Sequence, residues 1–592
     1  MKGEKRGRAA PCSAGAALIA LALSAGVAAQ PQPARVSFAN SGAPAAQADF
    51  LRGVEALHNF EYEEANEAFV RARTSDPSFA MAIWGEALTF HQTLWRNENV
   101  AAGREALARL DPSPTVRAVR LGTPRERGFF AAVEALFGDG DVDLRRRRYA
   151  DQMAQLYNSD PDDPEAASFY ALALLGTMSR GLIGTSDTHE GHSAGLAGSE
   201  TQRRVGEILT RVLARNPEHP GALHYLIHNY DDPEHASLGL DAARTYARVA
   251  MQSSHALHMP AHIFLQLGMW PDAEESDRAA FAASEAWVAA RGLPLAMRSY
   301  HALSWRQYEL LQMGRYEEAR QTIGVIEPVV KASGQLTLLS DLSSMRARFV
   351  VETRRWDLMA NERNFGNINE LCAIGFAAAR SGNPSLAELA RQALAARSQA
   401  AEEGDMRPAA AIMERQVAAT IAQVAGRGAE ALAILQAASD AERQLPPPLG
   451  LPIPLKPSAE LLGEMLIDAG KPAEAVRAFE DALSRNRNRT LSVLGLARAS
   501  AALGQSDAAR GHYERVLANF SRADAGVAEV AEARTYLASS AAWINRPLLW
   551  TGGAIAGLVA VGLAAYKRRQ YARPEKPIDA GAGNRERRKA RR

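Results

Sequence analysis

Residues 58–77 read HNFEYEEANEAFVRARTSDP, and residues 471–486 read KPAEAVRAFEDALSRN. In the first stretch Ala65, Phe69, Ala72 and Pro77 follow at steps of 4, 3 and 5; in the second, Ala475, Phe479 and Ala482 repeat the 4 and the 3. Ala509, Tyr513 and Val516 do so once more, 34 residues further on, and Ala319 with Ile323 keeps the first step. Steps of three and four put side chains on one helix face. The small alanine lets a neighbouring helix come close, and the aromatic or aliphatic residue fills the space between helices. A glycine shortly before several of these helices suits a tight turn. One such pair of helices cannot bury its apolar face alone, so a chain built this way stacks its pairs into a shared core. No strand-like alternation of any length competes with this reading.

At these residues the chain resembles tetratricopeptide repeats, which are 34-residue helix–turn–helix units. The resemblance covers most of residues 48–540, with nine to eleven helical pairs. It is clearest over 48–110, 200–325 and 458–525 and weaker around 325–445. It implies an all-α, right-handed solenoid whose first helices line a concave groove, suited to a protein or peptide partner. Two interruptions stand out. Residues 176–199, GTMSRGLIGTSDTHEGHSAGLAGS, form a long Gly- and Ser-rich insertion inside one helical pair. Residues 446–457, PPPLGLPIPLKP, read as an extended connector between an array over 48–445 and C-terminal repeats over 458–538.

The two ends set the expected topology. Lys2, Lys5, Arg6 and Arg8 precede a short apolar run and the small residues Val27, Ala28 and Ala29, so residues 1–29 read as a signal peptide. Residues 30–47 read as a flexible lead-in. After a linker at 539–547, residues 548–566 carry no charge over 19 positions, with Trp550 and Tyr566 near the ends. That length suits one membrane span. Residues 567–592 form a basic tail, which the positive-inside rule places in the cytoplasm. The expectation is a single-pass inner-membrane protein with its body periplasmic. Of the formal net charge of +1, the first 29 residues contribute about +3 and the tail about +8, leaving the body near −10. An acidic body argues against nucleic acid as partner. The two cysteines are Cys12, in the signal, and Cys372, so no disulfide framework or Cys-rich metal site is available.

Nine of the 13 histidines fall between His189 and His262. His224 and His228 are four apart, as are His258 and His262, and the pairs are offset by 34, one repeat length. Each pair shares a helix face, and the offset brings the second pair to matching height on the next parallel helix. In the register of the resemblance, all four face the groove, which spans residues 189–301 and which His255 and His301 also line. Imidazole suits zinc, iron, copper or nickel. His224, His228, His258 and His262 are the expected metal ligands, with Asp231, Asp232, His235, His255 and His301 as supporting or alternate ligands. Nearby carboxylates favour zinc or iron. Met251, Met259 and Met269 admit copper as the lesser choice. A metal-free peptide groove, a pH-sensing surface and a structural network are the other readings. His58, His91, His219 and His512 read as packed or solvated, and Asp187, His189, Glu190 and His192 as loop residues able to cap the site. Glu460 and Glu464 repeat the matched spacing as groove carboxylates, exposed helix positions where such pairs are ordinarily solvated.

His-Glu-x-x-His, Gly-x-Ser-x-Gly, the phosphate loop and the dinucleotide fingerprint are all missing; this weighs against an enzyme without removing it, and the last two absences against a nucleotide cofactor. The segments HPGALHYLIHNYDDPEHA and SSHALHMPAHIFLQLGMW resemble a little-characterised group of exported bacterial tetratricopeptide proteins, a resemblance that carries no activity. The expected function is a membrane-tethered scaffold with a histidine-built metal site in its groove. The rival readings are a metal-dependent hydrolase or oxidase and a metal-free envelope assembly factor.

Overall fold

The computed structural model describes residues 36–95, 97–178, 198–249, 253–400 and 406–544. Among them are 25 α-helices and one two-residue strand pair, His91–Gln92 with Asn97–Glu98. Consecutive helices pack on one another nearly throughout, and several also touch the helix two places on. No helix among the described residues is long and apolar enough to cross a membrane. The expected signal, span, basic tail and the heart of the 176–199 insertion lie outside the described residues.

The chain divides into two compact units. The first comprises the described residues up to 178, then 198–263 and 282–287; the second comprises 264–281 and 288–544. The division falls within the helix Ser254–Leu267 rather than at the proline-rich connector.

Both units contain the same packing device. In the first, Phe69 is fully buried between Gly53 and Gly85: a Cβ on either would lie 2.7 or 2.3 Å from the phenyl ring. In the second, Phe479 lies between Gly463 and Gly495, where a Cβ would come within 2.8 or 2.2 Å. In each case the glycines stand 16 residues before and 16 after the phenylalanine. Glycine inside a helix costs about 1 kcal/mol relative to alanine. Burying a whole phenyl ring contributes roughly 1.5–3 kcal/mol, which offsets the cost of about 2 kcal/mol for the two glycines.

Within the first unit, the helix Gln47–His58 packs on its successor Tyr62–Ser75 and also on the distant helix Pro220–Asn229. That second contact brings His58 against the histidine-bearing segment. Helix starts here are well defined. Thr123 and Glu126 form a capping box ahead of Pro124–Leu136, and Asp163 caps Pro164–Thr177 with proline at its first position.

In the second unit a continuous core runs from Ala347 to Ala499, enclosing Cys372. It includes most of the stretch 325–445, where the repeat pattern is weak. The helices Leu336–Thr353, Ile368–Arg380, Pro384–Gln399, Arg407–Val424 and Gly428–Arg443 pack there one on the next. The proline-rich segment is not a free connector. Leu451 and Leu455 are buried, the Pro448 carbonyl accepts a 2.7 Å bond from Gln266, and Gly450, at φ +148°, sits where a Cβ would strike the Trp305 ring. Leucines spaced among the prolines give this segment an apolar face, and the unit buries it.

Candidate metal centre

The helix Pro220–Asn229 is buried along its whole length. His219 caps it: its Nδ1 accepts the backbone N–H of Ala222 at 3.1 Å. His224 and His228 share one face of this helix. Within the first unit, the start of the helix Ser254–Leu267 adds His255, His258 and His262.

Three Nε2 atoms converge. That of His224 lies 3.0 Å from Nε2 of His255 and 3.1 Å from Nε2 of His228. At the other end of its ring, Nδ1 of His224 donates to the main-chain carbonyl of His58 at 2.7 Å. With its proton on Nδ1, a neutral His224 turns its single in-plane lone pair toward both neighbours. The three nitrogens are close enough together to hold one divalent ion as well as to share hydrogen bonds. Tetrahedral nitrogen ligands at 2.0–2.1 Å from zinc stand about 3.3 Å apart, close to the separations here. The Nδ1–carbonyl bond is also the usual device for aiming a metal-bound imidazole.

Aromatic rings surround this trio. Phe60 lies 4.4 Å from the His224 ring and 5.7–5.8 Å from His228 and His255, Tyr246 stacks on His224 at 5.2 Å, and Trp95 meets His255 edge-on at 5.4 Å. Glu61 is buried beside the backbone N–H of His255 and hydrogen-bonded by Ser253; burial pushes its carboxyl up to about 7.

His258 and His262 form a neighbouring pair. Their Nε2 atoms are 3.0 Å apart, and Nδ1 of His262 donates to Asp231 Oδ2 at 2.7 Å. The His262 and His228 rings are 6.3 Å apart. The structure therefore places the four expected ligands in two adjacent groups. His255, expected as an alternate ligand, stands level with His224 and His228, while Asp231 reaches the site through His262. The expectation of an open groove needs correction. His224 and His262 are fully buried, and His258 and His228 are only 2% and 8% exposed. Aromatic residues pack over the imidazoles, and His255 is half-buried.

A third group was not foreseen. His58, Glu165 and His219 are wholly buried; His58 Nε2 lies 2.7 Å and His219 Nε2 3.3 Å from the two oxygens of Glu165. Because Nδ1 of His219 accepts a backbone N–H, its Nε2 carries the proton and donates to the carboxylate. His58 does likewise from Nε2, while its Nδ1 meets the Tyr225 hydroxyl at 2.9 Å. Burial alone would raise the Glu165 carboxyl; the two imidazoles outweigh it and hold the group well below the usual carboxylate range. Burial in turn holds the His58 imidazole below its ordinary value. The nitrogens of this group thus give their protons to a carboxylate, whereas those around His224 point together. Its role is to fix His58, whose carbonyl aims His224. His58 and His219, read from sequence as packed or solvated, are packed and hydrogen-bonded, and Glu165 escaped notice because it looks like an ordinary first-turn acid after Pro164.

The other expected residues have settings of their own. Asp232 closes a turn by accepting the backbone N–H groups of Glu234 and His235, holds the His235 ring at 2.9 Å, and accepts from Gln202. His235 lines a cleft of about 740 Å³ together with Gln202, Arg203 and Tyr230. His301 stands on the helix Tyr300–Gln312 of the second unit, its ring 5.3 Å from Trp305. Met259 is buried and Met269 precedes the helix Trp270–Arg291. Met251, Asp187, His189, Glu190 and His192 lie outside the described residues.

Glu460 and Glu464 are not solvated groove carboxylates. Glu460 is fully buried and bonded by Arg489 (2.7 and 3.1 Å), Lys456 (2.7 Å) and Ser492 (2.5 Å). Glu464 pairs with Lys456 and Arg354, each at 3.1 Å. Arg489 and Lys456 supply the buried cations that sequence spacing did not connect to these acids. They hold Glu460 well below the usual carboxylate range despite its burial.

The family model described as Tetratricopeptide repeat matches residues 466–540. This covers the last helices of the second unit, including Phe479 and its glycine neighbour Gly495. Solved structures similar to the chain include the APC/C hetero-tetramer Cut9–Hcn1 (12% identity, 85% of this chain and 78% of that one, TM-score 0.27). They also include the human IFIT1 dimer with m7Gppp-AAAA (14% identity, 82% and 92%, TM-score 0.32). Scores this low carry no argument about function. No curated protein matches the chain.

Proposed function

We propose that this protein is a helical-repeat scaffold for protein interaction whose first unit is locked by a divalent transition metal on His224, His228 and His255. The observation that carries the reading is the convergence of three Nε2 atoms at 3.0–3.1 Å around a ring whose Nδ1 is committed to the His58 carbonyl. An all-imidazole ligand set suits zinc first, then iron or copper, and does not suit calcium or magnesium. Burial of His224 and His228, with His255 half-buried, favours a structural ion, since binding to a site built only on folding adds its free energy to stability. The basic, apolar and small-residue order at the N-terminus and the uncharged run at 548–566 support export and a C-terminal tether, with the helical body on the outer side. The helical surfaces, rather than the largely buried histidine site, would meet the protein partner.

The test is elemental analysis and thermal unfolding of the full chain purified without a polyhistidine tag. About one equivalent or more of metal, lost together with thermal stability on His224→Ala, is the expected result. A metal-free protein that takes up no zinc on reconstitution would overturn the reading.

A further inference from the structure

The pair His258–His262 matches the pair His224–His228 in its separations, though its rings are more steeply inclined, 71° against 41°. Nε2 atoms are 3.0 Å apart in one pair and 3.1 Å in the other, and ring centroids are 4.8 Å apart in both. In each pair one imidazole spends Nδ1–H on an oxygen at 2.7 Å: His224 on the His58 carbonyl, His262 on Asp231. The oriented ring is the first of one pair and the second of the other, so the two sets of nitrogens meet at different points. The nitrogens of His224, His228 and His255 converge as one group, and His258 and His262 fall outside it. One ion with bonds of about 2.0–2.1 Å reaches ligands no more than about 4.2 Å apart, so it cannot serve both.

We propose that the first unit holds two divalent metal ions, the second on His258 and His262 with Asp231 as the positioning residue behind His262. This rests on the reading of the His224 centre as a metal site. The two positions differ in what stands behind them. A neutral carbonyl aims His224, whereas a buried carboxylate aims His262, makes it the more basic ligand and offsets part of the ion's charge. The second position is therefore the more dependent on its outer partner. Its chemistry selects zinc, cobalt, nickel or copper(II) over hard cations.

The experiment uses the tag-free full chain, stripped with a chelator, dialysed to equilibrium against zinc and analysed for metal per chain. His224→Ala, His262→Ala and Asp231→Asn are treated alongside, and helix content by circular dichroism is checked for each. We expect His262→Ala and His224→Ala each to lose one ion and keep the other. Asp231→Asn, nearly isosteric, is expected to keep both at saturation while the weaker ion's dissociation constant rises about 10–100-fold. Metal lost on His224→Ala but unchanged in both His262→Ala and Asp231→Asn overturns the second site and leaves the first standing. Loss of all bound metal on either histidine substitution, with helix content intact, shows one shared ion and overturns the proposal. Absence of bound zinc from the unsubstituted chain overturns both readings together. Should a histidine variant lose helix content, the Asp231→Asn dissociation constant decides alone: no change overturns the proposal.

Discussion

Replacing Glu165 by glutamine tests whether the buried network behind His58 is wired as described. The substitution keeps shape but exchanges one of two acceptor oxygens for an NH₂ donor. His219 cannot adapt, because its Nδ1 is held by the Ala222 N–H and its Nε2 must stay protonated. His58 can adapt by moving its proton to Nδ1, but this turns two donors, its own N–H and the Tyr225 hydroxyl, toward one another. Either way one buried donor loses its acceptor, at about 1–3 kcal/mol. A charge-assisted bond is lost as well, and relief of the buried charge offsets part of this. The expected net cost is about 2 kcal/mol, a factor of roughly 30 in the local opening equilibrium. A two-unit chain need not unfold in one step, so a local observable isolates this effect better than a global midpoint. Native-state hydrogen exchange in Pro164–Thr177 and Pro220–Asn229 is such an observable, with Glu207→Gln on the exposed surface as control. Tyr225→Phe added to Glu165→Gln should recover part of the loss by removing the competing hydroxyl. Exchange rates within threefold of the parent would refute the argument, because a carboxylate serving two buried N–H donors cannot be exchanged so cheaply.

Three further outcomes are expected. Gly221→Ala would place a Cβ 2.2 Å from Nδ1 of His58, so the ring must move; elemental analysis should show metal retention falling, at a stability cost of about 1–3 kcal/mol, and unchanged metal content would count against the His58 anchor. Arg489→Ala removes a fully buried guanidinium that pairs with Glu460 at 2.7 Å and Glu352 at 2.6 Å; a loss of about 3–5 kcal/mol should appear as an earlier denaturant transition of the second unit. Burial pushes the Glu442 carboxyl up to about 7 from 4.5: below pH 4.5 it is protonated in both folded and unfolded chains, and as pH rises to 7 the unfolded chain ionises first, so the folded state loses up to about 3 kcal/mol. Glu442→Gln should therefore match the parent at pH 4 and be the more stable at pH 8; equal denaturant midpoints at both would contradict this.

Much of the architecture was legible because it is written locally. Ala65, Phe69 and Ala72, and their counterparts at 475, 479 and 482, show one helix face each, and a helix face is decided by steps of three and four. The two glycines flanking Phe69 and Phe479 at 16 residues were equally present in the sequence, but their meaning needs the neighbouring helices in place. The histidine pairs were visible for the same local reason. What sequence did not reveal is non-local or main-chain. The anchor of His224 is a carbonyl, which any residue possesses, so His58 carries no chemical mark of the task. Glu460 finds Arg489 on a later helix and Lys456 in a segment that composition marks as irregular. Burial of the imidazoles also depends on Phe60, Tyr225 and Tyr246, rings whose helices meet only through tertiary packing. A hydrophobic alternation inside PPPLGLPIPLKP was there to be read, yet proline content spoke more loudly than Leu451 and Leu455.

The His58 carbonyl and the His224 ring that it aims are 166 residues apart. During synthesis, helices near the N-terminus can form early, because each packs on its immediate successor. The aimed imidazole cannot exist until the helix Pro220–Asn229 has arrived and docked on Gln47–His58, and the trio is complete only once His255 has followed. Closing a loop of that length is slow compared with forming a hairpin. Capture of an ion there would come at the end of the first unit's assembly and would act as a latch on it. A chain halted before residue 255 would be helical yet unlatched, still open to proteases and chaperones, so metal content would report how far each molecule had progressed toward its finished state.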